Sequence, residues 1–371
     1  MASDDDVRKE LDARIRCLEL ELSDLKQRRN TLSPISRLPP EIFCKLFVYS
    51  LPELDYQKQH GGRRRLHAME LSHVSHTWRA VALECAELWA HLQVGVHTRE
   101  EMLAFAHEKA RHVPISVSLC GLAYGPDSPD DQVPSDRVIS TLTKIVREGS
   151  ARCHSLQLWT GHATLERLLH GHVGGFDTLV TLKLVTQVPD WTVVSPLPCF
   201  SGCPRVRRVE VGGALVVPLS WAPLRSPFLT HVHLERVWWT GGIVTDILAI
   251  MNRSTNLQSF AIENTRTSTL SNDDRLASTQ GGTGTLPLSK LKWLELGGIS
   301  PTDLISLLSS ISVPVEARLD LRTYAQECKE LMSSVGRVYS TPSSPAVLLI
   351  AGEQVCTWDL AELVCHPSRL E

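Results

Sequence analysis

The residue types best suited to chemistry in this chain are its histidines, its cysteines and one glycine run, and their spacing argues against most of that chemistry. His73 and His76 stand three apart, a spacing that puts both on one helix face, but no third ligand lies near them in sequence. Cys199 and Cys203 flank Phe200 beside Pro198 and Pro204, with no second cysteine pair to complete a zinc site. Gly281-Gly282-Thr283-Gly284-Thr285 lacks the Gly-Lys-Ser/Thr that must follow in a phosphate loop. Asp4 to Asp6 and Asp127 to Asp131 read as solvated acidic turns, and Arg63-Arg64-Arg65 as a solvated basic loop that could also aid nuclear import. The chain contains no G-x-S-x-G elbow, no HExxH and no kinase motif set. A non-enzymatic protein without metal or cofactor is therefore expected, and what remains to carry function is surface.

Composition sets the outer limits. The 371 residues are 43% hydrophobic and 21% charged, with a formal net charge of −3, so general nucleic-acid affinity is not expected. The start, MASDDDVRKEL, is acidic where a signal peptide needs a basic region and an apolar run, and no later stretch holds 18 uninterrupted apolar residues. The cytoplasm or the nucleus is the expected location, with no membrane partner. The ten cysteines are scattered and mostly in apolar surroundings, which reads as reduced, buried small hydrophobes.

Two elements must position any binding surface near the N-terminus. Residues 7 to 32 carry a heptad in which Leu11, Leu18, Leu25 and Leu32 fall seven apart and Ile15 and Leu22 fill the alternate seam, while Arg29 breaks the next position. A coiled-coil helix over residues 1–33 is expected, either dimerising with a second copy or remaining a lone helix or folding back on its own chain. Then Leu38-Pro39-Pro40-Glu41 reads as a helix start, and Ile42, Phe43, Leu46 and Phe47 give a helix over 39–51 one broad apolar face. Leu71, Val74, Trp78, Val81, Ala82 and Cys85 fall three and four apart and predict a second helix from about His67, with a short third helix or a continuation over Ala86 to Trp89. Three helices in so short a stretch bury little surface, so the unit over 34–95 should keep an apolar face for a partner.

This stretch resembles the F-box. The LPxEI half is Leu38, Pro39, Pro40, Glu41 and Ile42, and the VCRxW half is Val74-Ser75-His76-Thr77-Trp78-Arg79, with Ser75 and His76 in place of the usual Cys and Arg. Ala80 to Leu83 and Glu87-Leu88-Trp89 are similar to the continuation seen in fungal, mushroom-type F-box proteins, as is a heptad helix before the motif. The resemblance implies docking on a Skp-type adaptor, and through it cullin, by Leu38, Pro39, Pro40, Glu41, Ile42, Leu46, Leu71, Val74, Ser75, Trp78 and Leu83. It implies a receptor of a Skp, cullin and F-box ubiquitin ligase; the alternative is a scaffold that binds the adaptor or other proteins without promoting ubiquitination.

Downstream, a helix over 98–111, a strand over 113–119, a loop over 121–135 and a helix over 138–146 form a connecting segment, 96–150. From residue 151 a pattern of apolar-x-x-apolar-x-apolar recurs. Its final positions, 158, 184, 211, 234, 262, 296 and 321, step by 26, 27, 23, 28, 34 and 25 residues. The expected fold class is thus α+β or α/β, ending in an irregular leucine-rich-repeat-like solenoid over 151–371; a mixed α/β domain with only apparent periodicity is the alternative. The long step holds a Ser/Thr/Asn/Gly-rich loop over 265–286. A last strand over 343–354 and a closing helix over 358–364 should cap the end. Residues beside the apolar positions, among them Trp159, Glu210, His233, Glu235, Glu263, Trp293 and Glu295, should share one strand face. The four glutamates, from successive strands, suggest an acidic face with aromatic anchors for an unknown target protein.

Overall fold

Three aspartates in its first turn and Arg28 and Arg29 in its last suit the dipole of helix α1, Asp4–Thr31, none of whose residues is buried. The computed structural model describes residues 4–51, 63–120, 134–169, 175–187, 200, 202–213, 215, 221–239, 242–263, 266–267, 285–314, 316–323, 347–351 and 354–358. After a 3-10 turn over Pro34–Arg37, Pro39 and Pro40 open α2, Pro40–Ser50, where a missing N–H costs nothing. Three further helices follow: α3, Arg63–Ser72; α4, His76–Glu84; and α5, Ala86–Trp89.

The single helix expected from about His67 through Cys85 is two. It starts earlier, at Arg63, and breaks after Ser72, because Ser75 takes an extended conformation (φ −158°, ψ 168°) and accepts a hydrogen bond from the Trp78 N–H at 3.2 Å. A serine oxygen that satisfies a free N–H in the next first turn favours a new helix start over continuation. Arg79 Nε then donates to the Ser72 carbonyl at 3.0 Å, satisfying one of the acceptors left at the end of α3.

Strand β1, His91–Val94, and helix α6, Glu100–Lys109, come next. The chain packs as two compact units, one of residues 1–93 with 104–113 and one of 94–103 with 114–371. The segment expected as a connector, 96–150, is thus divided between them.

In the second unit, parallel strands are neighbours in chain order: β2, Ile115–Cys120; β3, Cys153–Gly161; β4, Thr181–Gln187; β5, Arg208–Gly212; and β6, His231–Glu235. The short β7, Trp238–Trp239, precedes β8, Ser259–Glu263, which continues the sheet, and another short strand, β9, Arg266–Thr267, pairs with β7. Strand β10, Leu286–Pro287, leads to β11, Trp293–Gly297; β12, Ile311–Ser312, pairs with β10 and leads to β13, Arg318–Thr323. The sheet ends with β14, Val347–Ala351, parallel to β13, and β15, Gln354–Trp358, antiparallel to β14. This is an α/β arrangement around a large parallel sheet.

Parallel neighbours need crossovers, and several are helical: α7, Asp136–Glu148; α8, His162–Leu169; α9, Ile243–Arg253; and α10, Pro301–Ser310. The expected loops 121–135 and 265–286 fall largely outside the described residues, although β9 and β10 occupy the two ends of the second. Trp358, expected to start a closing helix, instead ends β15; the remainder of that expected helix lies outside the described residues.

Every repeat contributes its apolar pair to one side of the sheet. Leu156, Leu182, Val209, Val232, Phe260, Leu294 and Leu319 are register partners in one row, and Leu158, Leu184, Val211, Leu234, Ile262, Leu296 and Leu321 in the next. Each is at most 3% exposed. Backbone hydrogen bonds tie each repeat to the one before it. Just before a strand or, for Arg318, at its first residue, the N–H of Val180, Arg207, Thr230, Gln258, Lys292 and Arg318 donates to a carbonyl of the preceding repeat at 2.8–2.9 Å. Gly213, with φ +90°, is required where β5 ends, since a Cβ there would stand 1.6 Å from the Thr186 carbonyl oxygen.

Candidate functional site

Helix α2 is apolar on two sides, not on one broad face. Phe43 and Phe47, four apart, point inward and are 2% exposed or less. They meet Trp78 from α4, with ring centroids 5.7 Å (Phe43) and 5.1 Å (Phe47) from the indole. Ile42, Leu46 and Tyr49 form a second stripe at spacing i, i+4, i+7, and they are 40%, 45% and 86% exposed. Val74, in the turn before α4, is exposed as well. Large apolar side chains gathered on one short helix and left in water are the informative case, because isolated ones are common and gathered ones mark contact surfaces.

The residues implied as adaptor contacts therefore fall into two groups. Pro39, Pro40, Glu41, Ile42, Leu46 and Val74 are exposed, and Leu38 and Leu83 are half-buried. Leu71 is buried, Ser75 caps α4, and Trp78 is the keystone of the aromatic cluster, so these three hold the surface from behind. Tyr49 was missed; its place seven residues after Ile42 was the readable signal. Behind α4, Trp89 Nε1 donates to the Ala82 carbonyl at 2.7 Å, and its ring meets Phe105 edge-on at 5.2 Å. Cys85 is buried against the Cys44 carbonyl at 3.9 Å, and burial above all pushes its thiol up to about 12, which makes it an inert packing group.

In the second unit, the polar side of the sheet carries the other expected residues. Register places Lys183, Glu210, His233, Ala261, Glu295 and Asp320 in one row, and Glu235 and Glu263 side by side in the next. The four glutamates are thus not one ladder, since His233 and Ala261 stand between Glu210 and Glu295. Nor is the face simply acidic. Lys183 Nζ lies 2.5 Å from Glu210 Oε1 and 5.6 Å from the Trp159 ring centre, His233 Nε2 lies 3.6 Å from Glu263, and Arg236 Nε lies 3.3 Å from Glu235. At the far side Arg318 lies over the Trp293 ring at 4.8 Å and reaches Asp320 at 3.1 Å. Glu295, expected in water, is 6% exposed. Lys183 with Glu210 and His233 with Glu263 join neighbouring strands, and such cross-strand pairing is what sequence spacing cannot show. Pairing with Glu263, with help from Glu210 and Glu235, holds the His233 imidazole above its ordinary range against the opposing effect of burial. His231, by contrast, is lowered by burial and by Arg208 and Lys292.

The remaining chemical candidates do not assemble. Among the described residues no group of three His, Cys, Asp or Glu could hold a metal ion; His73 and His76 are both exposed, on different elements. Cys203 is buried, with its thiol pushed up to about 11 mainly by burial, while Cys199 and Gly281 to Gly284 lie outside the described residues. Cys17 is exposed, unlike the buried cysteines the sequence led one to expect. Among the described residues no helix is long and apolar enough to cross a membrane. No family model matches the chain, and no curated protein matches it.

Proposed function

We propose that this chain is a non-enzymatic F-box receptor that docks on a Skp-type adaptor through α2 and the α3–α4 turn and holds a target protein on its repeat domain. The observation that carries the reading is the second apolar stripe of α2, Ile42, Leu46 and Tyr49, left in water beside Val74 while Phe43, Phe47 and Trp78 form the support beneath. A small helical unit has no internal use for that stripe; a partner helix or groove does. In this reading the parallel sheet belongs to a degenerate leucine-rich-repeat solenoid, and its polar side, with Trp159 and Trp293 each beside a cation, receives the target. The receptor supplies no reacting group. It raises the effective concentration of a target lysine near a ubiquitin-charged enzyme.

The test is capture of Skp-type adaptor and cullin by the intact chain, compared with Leu38→Ala combined with Pro39→Ala. Loss of both from a variant with an unchanged circular dichroism spectrum is expected. Equal adaptor recovery by the folded variant rejects the reading, and adaptor without cullin assigns the chain to scaffolding instead.

A further inference from the structure

Helix α1 is continuous over 28 residues and buries nothing. Leu11, Ile15, Leu18, Leu22 and Leu25 form its seam, and each remains about half in water. A seam of leucine at d (11, 18, 25) and isoleucine or leucine at a (15, 22) suits a two-stranded coiled coil. Resting on the coiled-coil reading of this helix, and independent of adaptor docking, we propose that α1 pairs with α1 of a second copy, parallel and in register.

The charges beside the seam decide the orientation. With Ile15 and Leu22 at a, the g positions are Arg14, Glu21 and Arg28, and the e positions are Asp12, Glu19 and Lys26. A parallel pair brings each g residue to the e residue five further along the partner. Arg14 then meets Glu19 and Glu21 meets Lys26, twice each by symmetry, and all four contacts attract. In an antiparallel pair with the same overlap, Arg14 meets Arg28, Glu21 meets Glu21 and Glu19 meets Glu19, and only Asp12 with Lys26 attracts. Arg29 at the next a position faces its own copy in the parallel form and confines the seam to its central heptads. So short a seam associates weakly, at tens of micromolar chain. Residues after Thr31 leave both helices at the same end, so the dimer presents two copies of the docking stripe side by side to bivalent partners.

The test is sedimentation equilibrium of the full chain at tens of micromolar and physiological salt. The native chain should dimerise. Arg14→Glu with Glu21→Lys turns all four parallel contacts repulsive and should weaken the dimer about thirtyfold. Glu19→Lys with Lys26→Glu should do the same, and an equal mixture of the two variants should restore the native affinity, because each then supplies what the other lacks. A native chain that stays monomeric overturns the proposal. So does an Arg14→Glu, Glu21→Lys variant that still self-associates, since in an antiparallel pair that variant gains attraction between positions 14 and 28. Adaptor capture by the same variants is the control: its retention beside a monomeric native chain removes this inference alone, and its loss from every form, native included, removes the receptor reading alone.

Discussion

Replacing Ile42 and Leu46 by alanine isolates the outer stripe of α2 from the fold beneath it. Full burial of such a side chain is worth about 1.5–3 kcal/mol, and on each some two-fifths of the surface is still open to a partner. Each residue therefore has about 1 kcal/mol to contribute on docking, and the pair about 2 kcal/mol, or about thirtyfold in Kd. Neither side chain is needed inside, so the free chain should lose less than about 0.5 kcal/mol of stability. Phe43→Ala gives the opposite outcome: its ring is 1% exposed against Phe47 and Trp78, and its loss should cost about 3–5 kcal/mol of stability. Calorimetric titration with a purified Skp-type adaptor, beside urea melts of each variant, separates the two effects. Native affinity in the Ile42, Leu46 double variant would show that the exposed stripe is not the docking face.

Asp246 and Gly213 test the second unit. Asp246 sits on the buried stripe of α9 beside Ile243, Ile247 and Ile250, and burial pushes its carboxyl from 3.8 up to about 6. A raised folded pKa means that its favourable contribution is complete below pH 3.8 and is lost as pH rises through about 6, a swing of about 3 kcal/mol. Asp246→Asn should therefore stabilise the unit by about 2 kcal/mol at pH 7.5, with the gain shrinking toward pH 4; a gain that does not vary with pH in urea melts refutes this. Gly213→Ala drives a Cβ into the Thr186 carbonyl at a positive φ, so a loss of more than about 2 kcal/mol is expected, and a native melting temperature would contradict the backbone described at the end of β5.

Local order was legible because it is written in short spacings. The apolar-x-x-apolar-x-apolar pattern located strands β3, β4, β5, β6, β8, β11 and β13, and the heptad located α1. Alternation also sorted residues correctly between the two sides of the sheet, since a strand has a period of two. Partnership was not legible. Ile42 and Phe43 are adjacent and equally apolar, and what separates them is Trp78, which covers one and not the other. Ser75 could be read as a small packing residue; its role as a cap depends on the backbone turning there. Above all, whether the glutamates repel one another depends on what stands across from each, and the partners of Glu210 and Glu263, Lys183 and His233, come from the neighbouring repeat. Sequence by itself determined the repeat strands, the face each of their residues takes and the N-terminal helix, because those follow from neighbours along the chain; the break between α3 and α4 and the strand that ends at Trp358 did not. Only the tertiary structure decided which apolar stripe stays in water and which charges are neutralised, because coverage and pairing energies fall off over a few ångströms in space, whatever the separation in sequence.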